Sequence, residues 1–138
     1  MGLTRFYSRE SGRDGPVSGA LQVISVGFDD VASNETVHRQ IVMPDGMAFY
    51  IVDVEVYSGT VASDPALTMG TTAAGTEIVA SVNVTTNLGS LTLKSNLVTS
   101  GDRLDVRVVA DADDTAENVS VTISGYVCAP PDSEAWRS

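Results

Sequence analysis

Four carboxylates fall within seven residues of the stretch "VVADADDTAENVSVTISGYV", Val108 to Val127: Asp111, Asp113, Asp114 and Glu117. Closely spaced Asp residues are a natural source of the oxygen ligands that calcium takes. The segment lacks the central Gly and the closing bidentate Glu of a helix–loop–helix calcium loop, so it matches no strict cation motif. The competing reading is the solvated tip of a hairpin, where screening over about 10 Å makes four neighbouring carboxylates tolerable. The tip is the better reading of the residues, with those four side chains standing as a calcium candidate.

A second acidic pair, Asp53 and Glu55, lies two apart in an alternating stretch and so shares one strand face. Glycosidases use two such carboxylates. Aromatic residues are only 6% of the chain, however, which leaves few platforms for stacking sugars. Facing solvent or a neighbouring subunit is the expected role for this pair. Nucleophilic catalysis needs a nucleophile within reach of a base, and the chain has one His, His38, and one Cys, Cys128. His38 reads as a surface or inter-strand residue, and Cys128 as a small hydrophobe near the end of the last strand. One His cannot supply a multi-histidine metal centre, and one Cys cannot close an intrachain disulfide. No phosphate-cradling Gly loop or zinc-ligand spacing occurs. Neither an enzyme nor a cofactor is expected.

The elements that would carry these residues are strands. At 138 residues with 43% hydrophobic content, the chain suits one globular domain. From Ala20 onward, apolar and polar residues alternate in "ALQVISVGF", "ETVHRQIVM", "MAFYIVDVEVYSG", "PALTMGT", "TEIVASVNV", "SLTLKS", "NLVTS", "DRLDVRVVAD" and "NVSVTISGYV". Period two marks half-buried strands. The longest alternation sets Ala48, Tyr50, Val52, Val54 and Val56 against Phe49, Ile51, Asp53, Glu55 and Tyr57. In "DRLDVRVVAD", Leu104, Val106 and Val108 are expected inward, with Arg103, Asp105 and Arg107 outward. "PDG" at Pro44–Gly46 supplies a tight turn. Short strands between regular turn signals predict an all-β fold, an about eight-stranded antiparallel jelly-roll sandwich with an extended N-terminal arm. The expected division is residues 1–17 as the arm, 18–129 as the β-domain and 130–138 as a C-terminal tail.

Charge narrows the partners. Eighteen acidic against eight basic residues give a net charge of −10, which repels nucleic-acid phosphates. No apolar run approaches the roughly 20 residues of a membrane span, and the polar start "MGLTRFYSRESGRDG" carries no secretory signature. Neither nucleic acid nor membrane is an expected partner. Arg5, Arg9 and Arg13 concentrate positive charge in the arm, while Lys94 is the single lysine. The arm therefore reads either as a free terminus or as a segment that docks on an acidic partner.

With the strands placed, "TEIVASVNVTTNLGSLTLKS" and "VTSGDRLDVRVVADADDTAENVSVTISGYV" resemble the jelly-roll structural proteins of tailed bacteriophages, in particular capsid decoration or cement proteins and head-fibre modules. The resemblance covers roughly Thr76 to Val127 and rests on the Gly-Asp turn that launches a strand, the acidic tip and the closing "VSVTISGYV". It implies a non-enzymatic virion protein, a homotrimer on the outer capsid surface that binds the major capsid protein or another virion protein. The partner-binding residues would then be Arg5, Phe6, Tyr7, Arg9 and Arg13, since arms that order on binding cover large surfaces and Arg and aromatics dominate interfaces. The alternative it leaves open is a receptor- or glycan-binding module of a fibre or tail tip.

Overall fold

In the computed structural model the described residues are 21–128, and they form ten strands in two antiparallel sheets facing each other as a sandwich. The strands are β1 (Gln22–Val31), β2 (Glu35–Val42), β3 (Ala48–Tyr57), β4 (Thr60–Ala62), β5 (Ala66–Gly70), β6 (Val79–Asn83), β7 (Asn87–Ser90), β8 (Leu97–Val98), β9 (Arg103–Ala110) and β10 (Thr115–Cys128). The first sheet has the order β1-β10-β3-β7, with β4 beside β10 and β8 beside β3. The second has the order β2-β9-β5-β6. The arm residues Arg5, Phe6, Tyr7, Arg9 and Arg13 and the tail lie outside the described residues.

The all-β expectation holds, and the core follows the inward half of each alternation. Phe28, Ile51, Leu67, Met69, Ile78, Leu104 and Ile123 are fully buried between the sheets. The expected turn at Pro44–Gly46 is closed by Met47 N–H donating to the Pro44 carbonyl at 3.2 Å, with Gly46 at φ 79°. In "SLTLKS" the strand ends at Ser90; residues 91–96 leave the ladder but stay tied to β3, with Leu91 N–H donating to the Val54 carbonyl.

Strict alternation fails at one place in β3. Ser124 pairs with Asp53, whereas Gly125 pairs with Ile51, so Val52 is an extra residue in the ladder. This β-bulge turns two consecutive side chains outward and reverses the phase. Phe49 and Ile51 are buried before it and Val54 and Val56 after it, while Tyr50 and Val52 are exposed. The two faces drawn from period two are therefore each correct over only part of the strand. Gly125 is the partner that lets the bulge close: a Cβ there would run into the Tyr50 carbonyl oxygen and approach Phe49 Cζ to 2.8 Å.

The chain crosses between sheets at six of the nine connections. β5 and β6 are the one pair of consecutive strands that are hydrogen-bonded neighbours among the described residues. Along one side the sandwich is closed by Arg39 on β2. Its guanidinium lies 5.4 Å from the centre of the Phe28 ring, and its Nε donates to the Gly27 carbonyl at 3.2 Å. On the opposite side, the edge strands β6 and β7 leave a cleft of about 410 Å3.

Candidate functional site

The acidic segment differs in geometry from the tip of a hairpin. β9 belongs to the second sheet and β10 to the first, and they do not pair. Asp111–Asp114 is thus an arch that carries the chain from one sheet to the other. Asp114 holds it: Oδ2 accepts the Asp111 N–H at 2.9 Å, and Oδ1 accepts the Asp64 N–H at 3.0 Å from the β4–β5 connection. The Asp114 carbonyl also accepts the Ser33 hydroxyl at 3.0 Å, which ties in the β1–β2 connection. Asp114 is only 8% exposed, and Asp113 beside it takes φ 71°, a left-handed turn conformation that Asp tolerates. Asp111, Asp113 and Glu117 are exposed. Both oxygens of the one buried carboxylate are spent on backbone N–H groups, and no group of three or more potential metal ligands occurs among the described residues. What Asp114 builds, with the Asp111 backbone, is a joint among three connections.

His38 and Asp105 form the other polar centre. Asp105 occupies the outward side of β9, as expected, but is 0% exposed, because the loop after β5 folds over it. Its Oδ2 accepts the Ala74 N–H at 2.7 Å, and its Oδ1 lies 3.1 Å from His38 Nδ1. Burial pushes the carboxyl pKa up, but the bonds from Ala74, His38 and Gln40 outweigh it and hold the value below the ordinary aspartate range. The loop itself is pinned by Glu77, whose carboxylate accepts the Thr71 N–H at 2.9 Å and the Thr72 hydroxyl at 3.1 Å; these bonds lower its pKa. His38 is therefore an outward inter-strand residue whose partner is structural. Cys128 is buried, which raises its thiol pKa, and it sits far along the sheet at the end of β10, paired with Ala48.

Four of the six exposed large hydrophobic side chains, Leu21, Val23, Tyr50 and Val52, gather at one end of the outer face of the first sheet; Val42 lies on the second sheet and Tyr57 at the far end of β3. Tyr126, Tyr50 and Leu97 stand side by side on β10, β3 and β8. In the next row Ser124 stands between Val23 and Asp53, with Val52 pushed out by the bulge. Val23 is 62% exposed, and Leu21, Tyr50 and Val52 are all more than two-fifths exposed. Asp53 and Glu55, the paired carboxylates of the sequence, border this patch, and Tyr57 Oη donates to Glu55 at 3.4 Å. The patch is what sequence reasoning missed: Tyr50 and Val52 were placed on one face with Val54 and Val56. The signal that could have found it is Gly125, since Gly inside a strand pattern marks a bulge.

Both ends of the described segment lie at this same end. Gln22 pairs with Gly125, so the described domain begins at Leu21 and ends at Cys128 beside Tyr50 and Tyr126. The opposite end carries Asp29, Asp30, Glu35, Asp64, Asp111 and Asp113 in or beside the connections joined by Asp114. The exposed apolar patch thus lies toward one end of the sandwich, and this acidic cluster lies at the other.

No family model, curated protein or solved structure matches the chain. No helix among the described residues is long and apolar enough to cross a membrane.

Proposed function

We propose that this protein is a virion structural protein, a capsid decoration or cement protein that sits on the outer shell of a tailed phage as a homotrimer. The observation that carries this reading is the apolar patch of Leu21, Val23, Tyr50 and Val52, at the end of the sandwich where the described residues begin and end. Contiguous exposed apolar surface marks an interaction site. The patch would be buried against neighbouring copies, and the arm that starts beside it, with Arg5, Phe6, Tyr7, Arg9 and Arg13, would reach the shell.

The strand order supports a jelly roll. β3 and β4 both pair with β10, and β7 and β8 both pair with β3. Counting each pair as one interrupted strand gives eight, in the orders 1-8-3-6 and 2-7-4-5. On that count the order matches the double Greek-key arrangement of many capsid and lectin domains, which supports the jelly-roll reading.

Light scattering on the full chain, and sedimentation with shells of the phage that encodes it, test the proposal together. A trimer is expected, as is co-sedimentation that is lost when residues 1–15 are deleted. Tyr50→Ser with Val52→Ser, both at exposed positions, should give a folded monomer. A monomeric full chain, or shell binding that survives the deletion, would overturn the reading.

A further inference from the structure

The cleft between β6 and β7 is an independent feature, and it would stand whether or not the protein coats a shell. These are the free edge strands of the two sheets, on the side of the sandwich that Arg39 does not close. The segment after β7 turns back over one end of the opening, where Lys94 N–H donates to the Ile78 carbonyl at 2.7 Å. The result is a slot of about 410 Å3, within the usual range of small-molecule sites.

Its lining is chemically distinct from the rest of the surface. Val79, Val82, Leu88 and Leu91 give an apolar floor, and Ser81, Ser90 and Thr92 place three hydroxyls around it. Lys94, the single lysine of the chain, completes the wall. None of the nine lining residues is acidic, in a protein with 18 acidic and 8 basic residues. The Lys94 ammonium has no carboxylate within ion-pair distance among the described residues, where His38–Asp105 is the one such pair. An anion entering this slot meets a cation that no described acid neutralises.

We propose that the β6–β7 cleft is a binding site for an acidic saccharide, with the sugar carboxylate on Lys94, its hydroxyls on Ser81, Ser90 and Thr92, and its apolar face over Val79, Val82, Leu88 and Leu91. Hydroxyl side chains both donate and accept and so match sugar hydroxyls. A site built for phosphate would instead concentrate charged donors or a helix N-terminus. No aromatic ring lines the cleft, so stacking contributes nothing and affinity in the millimolar range is expected.

The test is amide chemical-shift mapping of the isotope-labelled full chain, titrated with sialyllactose, a glucuronate oligosaccharide, lactose and inorganic phosphate. Saturable shifts confined to residues 79–82 and 88–94 are expected with at least one acidic saccharide, and not with lactose. Lys94→Gln should weaken binding about tenfold, the loss of one charge-assisted hydrogen bond, without altering the rest of the spectrum. Lys94→Arg should retain most of the affinity. Three results would overturn the proposal: no saturable shifts with either acidic probe, equal binding by lactose, or phosphate binding as tightly at the same residues. None of them touches the oligomer and shell experiments, so the two readings fail separately.

Discussion

Replacing Asp114 by Ala removes the joint of the acidic arch and separates a structural role from a metal-binding one. The carboxylate makes two charge-assisted hydrogen bonds, to Asp111 N–H at 2.9 Å and to Asp64 N–H at 3.0 Å. Each such bond contributes about 1.5–3 kcal/mol when its partners are buried. Here both donors lie in exposed turns and can rehydrate, which brings the pair to a net loss of about 2–3 kcal/mol. For a domain of roughly 100 residues that lowers Tm by about 8–12 °C. The midpoint in urea should fall by about 1–2 M with the m-value unchanged, because the surface exposed on unfolding stays the same. Asp114→Asn keeps one acceptor and should lose about half as much. Asp113→Gly should be neutral or gain up to about 1 kcal/mol, since its φ of 71° suits Gly better than Asp. If these carboxylates instead bound calcium, millimolar calcium would raise the wild-type Tm by mass action and leave Asp114→Ala unmoved. That result, or a loss below about 0.5 kcal/mol for Asp114→Ala, would refute the joint.

Asp105→Asn should lower stability at pH 7 by about 1–3 kcal/mol and flatten its acid dependence. The folded pKa lies below the ordinary value, so the native state binds fewer protons than the unfolded chain near pH 4. The Asp105 contribution is full above that pH and drains away as pH falls through the folded pKa; denaturation series from pH 7 downward would show the slope disappear in the variant. Gly125→Ala should cost about 1–3 kcal/mol by driving a methyl into the Tyr50 carbonyl and the Phe49 ring, measurable by thermal unfolding. The same substitution at Gly27, where nothing lies within 4 Å of a new Cβ, is the comparison that isolates the clash.

How much of this was legible in the sequence depends on the range of the interaction that decides each feature. Period two located β1, β2, β3, β5, β6, β9 and β10 because alternation is a local consequence of burying one face. The bulge at Val52 is decided by cross-strand pairing to β10, some 70 residues away, and only Gly125 hints at it. Asp105 was correctly placed on the outward side of its strand. Its complete burial depends on a loop that folds over it and supplies the Ala74 N–H, which no alternation pattern encodes. The acidic tip shows the limit most clearly. Two alternating strands around a polar turn look the same whether the chain folds back within one sheet or crosses to another. The choice is made by which edges are already occupied: β10 fits between β1 and β3, and β9 between β2 and β5.

The distribution of charge gives that crossing a further consequence. Placing the acidic connections at one end leaves the opposite end, with Tyr50, Val52 and Val23, as the face where copies can approach without bringing those carboxylates together. The domain is long enough to matter: β10 alone has 14 residues, about 45 Å when extended, against a screening length of about 8 Å at physiological salt. In the proposed assembly, repulsion between acidic ends would act only on arrangements that juxtapose them, and it would select orientation without weakening association at the Tyr50 patch. Raising salt should relax that selection while leaving burial of the patch intact. Self-association through the Tyr50 patch should thus persist at high ionic strength, whereas an arm held only by Arg5, Arg9 and Arg13 on an acidic partner should let go.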